Sequence, residues 1–329
     1  MGMSGMEGPA KKIAVLTSGG DAPGMNAAVR AVVRTAIQNG MEVVGVEHGY
    51  NGLISGNFRE MKIRSVSDII QSGGTILYTA RCPEFNKPEG VRKAASECLM
   101  NGIDGVVVLG GDGSFRGARD LSREGIPCVG VPCTIDNDIG CSEYTIGYDT
   151  AMNTAMRMVD NIRDTAQSHD RCNVVEVMGR HAGYLALNTG IACGASVVIV
   201  PEIEFDFKKD ILGKIRSTFG TGKHHFIIVV AEGFQKTEEL AEKIRQAVGM
   251  DTRTTVLGHI QRGGSPTVQD RVVATEMGYR AVMVLKEGKG SRIIAQQNNK
   301  IVDIDIEEAL AMKKPFTMEL FNIAHTVSN

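Results

Sequence analysis

Lys12 to Thr17 is an apolar run of strand length, Ser18 to Gly24 is a tight Gly/Pro turn, and Met25 to Gln38 carries apolar residues at the spacing of one helix face. The order strand, glycine turn, helix recurs: at Gly105 to Leu109 with a helix from about Phe115 to Arg123, at Asn173 to Val177 with a helix after Gly183, and at Phe226 to Ala231 with a helix near 237 to 247. A return through a helix leaves neighbouring strands parallel and covers both faces of their sheet. The chain is therefore predicted to be α/β, with mostly parallel sheets in three-layer α/β/α domains. Its 329 residues suit about two domains. No linker divides them, and polar loops run from residue 18 to residue 266, so the domains are expected to share the chain discontinuously, with ligand where strand carboxyl ends meet.

A long helix is predicted over Asp149 to Gln167, with Met152, Met156, Val159 and Ile162 as a core or subunit-contact stripe and Asp149 or Thr150 as its cap. Residues 1 to 11 are expected to form a loose tail without an apolar leader, and Met6 stands where an N-myristoylation signal needs Ser or Thr.

The loops carry the chemistry. Neither G-x-x-x-x-G-K-[ST] nor G-x-G-x-x-G occurs, which leaves a Walker ATPase and a dinucleotide dehydrogenase without support. Ser18-Gly19-Gly20-Asp21 and Gly110-Gly111-Asp112-Gly113-Ser114 each put backbone N–H groups at a helix start, where the dipole favours anions. Such turns also merely end strands, and for the first both readings stand. Asp112 would repel a phosphate unless a cation such as Mg²⁺ lies between them. In Pro132-Cys133-Thr134-Ile135-Asp136-Asn137-Asp138, two carboxylates and a hydroxyl follow an apolar run; in an extended loop Asp136 and Asp138 would point to one side, and either can accept a proton. Arg81, Arg171, Arg180, Arg253 and Arg262 flank loops, with His259 beside the last, as clamps for phosphate would. Arg30 and Arg34 share one helix face, either as an anion site or as a solvated surface.

Composition narrows the partners. Thirty-six basic against 38 acidic side chains give a net charge of -2, without the basic excess of a nucleic-acid or anionic-membrane protein. No stretch reaches the roughly 18 apolar residues of a membrane span. Seven cysteines, odd in number and without a C-x-x-C pair, read as free thiols of a cytoplasmic protein.

Taken in order, Thr17 to Asp21, Gly110 to Ser114, Thr134 to Asp138, Met178-Gly179-Arg180 and Gly258-His259-Ile260-Gln261-Arg262-Gly263-Gly264-Ser265-Pro266 resemble the bacterial ATP-dependent 6-phosphofructokinase family, from about Lys12 to Phe316. The resemblance implies two similar domains with the active site in the cleft between them: residues 1–147 and 263–314 as a larger ATP-binding domain, and 148–262 and 315–329 as a smaller fructose 6-phosphate-binding domain. It implies Asp136 as the base for the sugar's 1-hydroxyl, Arg180 as stabiliser of the transferring phosphoryl group, Thr134 and Asp138 beside them, and Asp112 as Mg²⁺ ligand. Gly20, Tyr50, Arg81, Cys82, Gly111, Asp112, Gly113 and Ser114 match nucleotide positions. Thr134, Asp136, Asp138, Arg171, Met178, Gly179, Arg180, Glu232, Arg253, His259 and Arg262 match positions around fructose 6-phosphate. A homotetramer is implied, with Arg171 and Arg253 reaching a neighbouring subunit's site.

Arg30, Arg34, Arg163, Gly194, Lys223 and His225 match an effector site for ADP or phosphoenolpyruvate, but Ser196 stands for an acid, Ile63 for an arginine (Arg64 is adjacent), Thr221 for a basic residue and His224 for a lysine. Cys133 replaces the usual glycine and is expected to crowd the phosphate. A pyrophosphate-dependent relative would carry an acid at Gly113 and a lysine at Cys133. A catalytically silent sugar-phosphate sensor would not need Asp112, Asp136 and Arg180 together.

Overall fold

The computed structural model describes residues 10–328. In chain order these form β1 (Lys12–Thr17), α1 (Met25–Gln38), β2 (Glu42–Val46), α2 (Tyr50–Ser55), β3 (Phe58–Glu60), α3 (Pro88–Met100), β4 (Gly105–Gly110), α4 (Asp112–Arg123) and β5 (Cys128–Pro132). There follow α5 (Tyr148–Ser168), β6 (Cys172–Val177), α6 (Tyr184–Ala192), β7 (Val197–Ile199), α7 (Lys214–Phe219), β8 (Phe226–Ala231), α8 (Thr237–Val248) and β9 (Thr252–Val256). The last elements are α9 (Val268–Lys286), β10 (Arg292–Gln297), β11 (Lys300–Asp305), α10 (Ile306–Ala311) and α11 (Met318–Val327).

They fall into two compact units. The first comprises the chain up to Thr134 with Ile139–Asp149 and Arg262–Lys314; the second comprises Ile135–Asp138, Thr150–Gln261 and the chain from Pro315. The first unit's sheet has the order β11-β10-β5-β4-β1-β2-β3. Its five inner strands are parallel, and only the edge strands β3 and β11 run against them. β4 and β5 are buried along their whole length, which is why the sequence shows continuous apolar runs there instead of alternation. The chain winds from β1 to β2 on one side and places β4 on the other, so the winding reverses between β1 and β4, where loops diverge and leave room for a ligand.

The second unit has four parallel strands in the order β7-β8-β6-β9. Val174, Ile211, Ile215, Phe226, Ile228, Val230, Leu240 and Ile244 fill its core. The expected α/β class with mostly parallel sheets is what the chain adopts.

Three details differ from the sequence-based expectation. α4 starts at Asp112, three residues early, so the glycine turn itself is the helix entry. α5 starts at Tyr148, which puts Asp149 inside the first turn, where a carboxylate suits the dipole, and not before it as a cap. Ala151, Ala155 and Val159 form its buried stripe, with Met152 and Met156 half-buried alongside. The expected tail lies mostly outside the described residues; within them Ala10 is buried and Lys11 donates its N–H to Asp104 at 2.7 Å, so the chain is already tied down there.

Candidate active site

Thr17 lies opposite Leu109, and the N–H of Ser18 donates to the Leu109 carbonyl at 2.9 Å, so the turns after β1 and β4 leave the sheet side by side. In the second turn, a Cβ at Gly110 would meet the Ser18 carbonyl at 2.6 Å and Ser114 Oγ at 2.5 Å, so this approach requires glycine. A Cβ at Gly113 would meet nothing within 4 Å. Gly111 caps α4 and Asp112 is its first residue, so the unpaired N–H groups of the first turn face the open side. Arg116, one turn on, holds the Asp112 carboxylate at 2.9 Å.

Tyr50 is buried, stacks on Phe85 with ring centroids 3.9 Å apart, and donates its hydroxyl to the Ser114 carbonyl at 2.6 Å. It holds the turn from beneath. Arg81 is exposed and its carbonyl accepts from Asn51, whereas Cys82 is half-buried against the core and burial raises its thiol pKa. The Arg262 guanidinium lies over Gly20, where an added Cβ would be 2.8 Å from Nη1, and its buried Nε has no hydrogen-bond partner. An arginine matched to the sugar phosphate thus stands against a glycine matched to the nucleotide.

β5 ends beside β4, with Cys133 N–H donating to the Gly110 carbonyl at 2.9 Å. Cys133 is only 1% exposed, and its thiol pKa is raised by burial and by Asp270. Its extra bulk therefore lies in the interior, contrary to the expectation that it crowds a bound phosphate. Thr134 is half-buried, and its carbonyl accepts from Thr145 Oγ1 at 2.6 Å. Asn137 has φ 50°, so the loop turns over at the middle residue. The extended arrangement expected for Asp136 and Asp138 is absent: Asp136 is buried and Asp138 half-buried.

In the second unit β6 lies between β8 and β9, so three carboxyl ends converge. The turn after β6 is pinned through its backbone: Met178 N–H donates to Gln261 Oε1 at 3.0 Å and Arg180 N–H to Glu232 Oε1 at 2.5 Å. Gly179 has φ 139° and Arg180 φ 55°, a left-handed pair that side-chain-bearing residues rarely adopt without such support. Arg180, His181, Glu176 and Glu232 line a cavity of about 700 Å³ here. His259 is exposed on the turn after β9. Gln261 and Thr145 were not singled out from the sequence; Gln261 lies inside a recognised motif, but nothing in its type says that its side chain braces another loop.

Arg171 and Arg253 stand elsewhere. Arg171 precedes β6, Asp251 precedes β9 and Arg253 is the second residue of β9, so they occupy the amino edge of the same sheet. Six residues of β6 at about 3.3 Å each separate that edge by about 20 Å from the turn that holds Arg180. Asp251 accepts from Arg171 Nε at 2.6 Å and lies 3.4 Å from Arg253 Nε.

Gly194 and Ser196 precede β7, and Lys223 and His225 precede β8, on the same edge. Arg163 donates to the Cys193 carbonyl, and Lys223 Nζ lies 3.3 Å from Ser196 Oγ. Burial and then Arg163 lower the Lys223 pKa; burial, then Lys223 and Arg163, lower that of His225, with Asp170 opposing. Arg30 and Arg34 sit on α1 of the first unit: burial and then Arg34 lower the Arg30 pKa, and Arg34 Nε is buried without a hydrogen-bond partner. Ile63 is exposed.

Among the described residues no group of three or more His, Cys, Asp or Glu side chains could hold a metal ion. A Mg²⁺ ion shared with phosphates needs only one or two carboxylates, and Asp112 at the mouth of the glycine turn is of that kind. All seven cysteines are free thiols, six of them buried, and burial pushes Cys98 and Cys172 to about 12. No helix among the described residues is long and apolar enough to cross a membrane.

The family model described as Phosphofructokinase matches residues 12–285. The chain is 54% identical over 318 residues to an ATP-dependent 6-phosphofructokinase of Bacillus cytotoxicus, an alignment covering 97% of this chain and 99% of that one. Among solved structures, the phosphofructokinase of Pichia pastoris in the T-state superposes with a TM-score of 0.87 at 38% identity, covering 98% of this chain and 37% of that chain. A pyrophosphate-dependent phosphofructokinase of Marinobacter aquaeolei superposes with a TM-score of 0.83 at 22% identity, covering 94% of this chain and 86% of that one, which is a likeness of fold alone.

Proposed function

Because the chain belongs to the phosphofructokinase family, we propose that it transfers the γ-phosphoryl group of ATP to the 1-hydroxyl of fructose 6-phosphate, giving fructose 1,6-bisphosphate and ADP. The observation that carries ATP over pyrophosphate is the open, uncharged side of the glycine turn at Gly113: an acid there would repel a nucleotide's α-phosphate, and a side chain would fill its space.

The first unit takes the nucleotide. Gly20, Arg81, Cys82 and Gly111 to Ser114 border it, with Tyr50 fixing the Ser114 carbonyl. The second unit takes the sugar phosphate through Met178, Gly179, Glu232 and His259, and Arg262 is a further ligand of that phosphate. Asp136 accepts the proton of the attacking hydroxyl. Thr134, whose carbonyl is fixed by Thr145, and Asp138 border the same step. Arg180 meets negative charge that grows on the phosphoryl oxygens, from a backbone already locked by Glu232, so little rearrangement is needed at the moment of transfer. Asp112 would hold Mg²⁺, which when bound neutralises phosphate charge.

The active form is a homotetramer in which Arg171 and Arg253 serve a neighbouring copy's sugar phosphate. The support is their position about 20 Å along the sheet from Arg180. Between neighbouring copies, Arg30, Arg34, Arg163, Gly194, Lys223 and His225 form an effector site for ADP or phosphoenolpyruvate, weakened by Ser196, Ile63, Thr221 and His224. The reaction is the cytoplasmic phosphorylation step of glycolysis. A coupled assay with fructose 6-phosphate tests the reading: turnover with MgATP and little with pyrophosphate supports it, and the reverse preference overturns it.

A further inference from the structure

Two arginines of the second unit, Arg171 and Arg253, share one carboxylate. Asp251 Oδ2 accepts from Arg171 Nε at 2.6 Å and lies 3.4 Å from Arg253 Nε. The backbone enforces this grouping, since Cys172 N–H donates to the Asp251 carbonyl at 3.1 Å and Asn173 pairs with Arg253 across the parallel β6–β9 ladder. Two guanidinium groups brought this close repel one another, and a carboxylate between them offsets that repulsion. The atom each arginine turns toward Asp251 is Nε, at the stem of the planar fork. With Nε engaged, each arginine still carries terminal donors, and a phosphate can be gripped by more than one of them.

We infer that Asp251 is a positioning residue for sugar-phosphate binding: it holds Arg171 and Arg253 together as a matched pair for the same anion. This deepens the reading above and rests on its assignment of those two arginines to the sugar phosphate. Asp251 does not touch the reacting atoms, so its effect falls on affinity and not on the chemical step. The hydrogen bond from Arg171 draws the Asp251 carboxyl below the usual carboxylate range, with burial opposing and Arg253 adding to the pull, so the group is charged throughout the neutral range. The Arg171 side chain is 19% exposed but those of Asp251 and Arg253 are 49% and 58% exposed, which limits the size of the effect.

The test is steady-state kinetics of the full-length protein with Asp251→Ala, Asp251→Glu, Arg171→Ala and Arg253→Ala, and with the Asp251→Ala/Arg171→Ala pair. Asp251→Ala is expected to raise KM for fructose 6-phosphate about fivefold, with kcat and KM for ATP within about twofold of wild type. Asp251→Glu is expected to recover part of that loss. In the Arg171→Ala background, removing Asp251 is expected to add less than it does alone, since the pair acts as a unit. A merely structural role would instead lower kcat or raise both KM values. If the arginine variants raise KM for the sugar phosphate but Asp251→Ala leaves it unchanged or lowers it, Asp251 is no positioning residue, while the wider assignment survives. If neither arginine variant alters that KM, the assignment of the arginines falls, and this inference with it.

Discussion

The two edges of the four-stranded sheet are built to opposite plans. At the carboxyl edge, the turn bearing Arg180 is fixed from several sides: Gln261 holds Met178, Glu232 holds Arg180, and the left-handed backbone of Gly179 and Arg180 persists because those bonds define it. At the amino edge, Arg163, Lys223 and His225 crowd one another, and burial together with mutual repulsion lowers the pKa of Lys223 and His225. The first arrangement suits a group that must be in place when charge develops. The second suits a surface that gains by taking up an anion, because a bound anion relieves the repulsion among its cations. Stabilisation of developing charge and uptake of an anion by a crowded cation cluster are thus expected to separate along one sheet.

Asp136→Asn is the variant expected to do most damage, lowering kcat by roughly 10²-fold or more with a modest change in affinity for either substrate, since a proton acceptor acts only in the transition state. Losses no larger than those from an exposed aspartate such as Asp164 would remove Asp136 from the chemistry. Arg180→Ala is expected to lower kcat by about 10²-fold, whereas Arg171→Ala on the opposite edge should act chiefly on KM for fructose 6-phosphate. A similar kcat loss in both would erase the distinction between the edges.

Gly113→Asp tests the nucleotide side and is expected to raise KM for ATP about tenfold or more by placing charge in open space, with the sugar KM little changed. An unchanged KM for ATP would show that the phosphates do not pass Gly113. A smaller effect is expected from regulation: with Ser196, Ile63, Thr221 and His224 in place, millimolar ADP or phosphoenolpyruvate should shift sugar half-saturation less than in relatives that keep the charged residues. A large shift at low effector concentration would show those residues to be dispensable.

The smallest effect concerns His225. Its pKa is lowered, so the unfolded chain takes up the proton more readily; stability is unaffected above about pH 6.5 and declines as pH falls below it. An NMR titration should find this imidazole neutral at pH 7 and should find its pKa raised by added inorganic phosphate. No change with phosphate would mean that the amino edge does not bind anions through this cluster.

Much of this architecture is legible in the sequence. The runs Gly105 to Leu109 and Phe226 to Ala231 are strands because buried parallel strands need apolar side chains on both faces, and the glycine turns after them follow from the same pattern. What periodicity does not carry is the direction in which a loop side chain points. Tyr50, matched to a nucleotide position, and Cys133, in a motif segment, are turned inward, and Asn137 adopts a left-handed backbone that breaks the expected alternation of Asp136 and Asp138. Nor does it carry which end of a strand a residue serves. Arg171 and Arg180 are nine positions apart, but six of the residues between them form β6, and that strand sends them to opposite edges.

Mixing two impaired variants tests most directly whether the edges of different copies complete one site. Arg180→Ala chains and Arg171→Ala chains are co-refolded or co-expressed, and fructose 6-phosphate saturation is compared with that of each alone. Some sites in the mixture would combine an intact Arg180 with an intact Arg171 from a neighbour. The expected result is a new component with wild-type KM and turnover that neither parent shows. Activity equal to the sum of the two separate variants, in assemblies shown to be mixed, would contradict it.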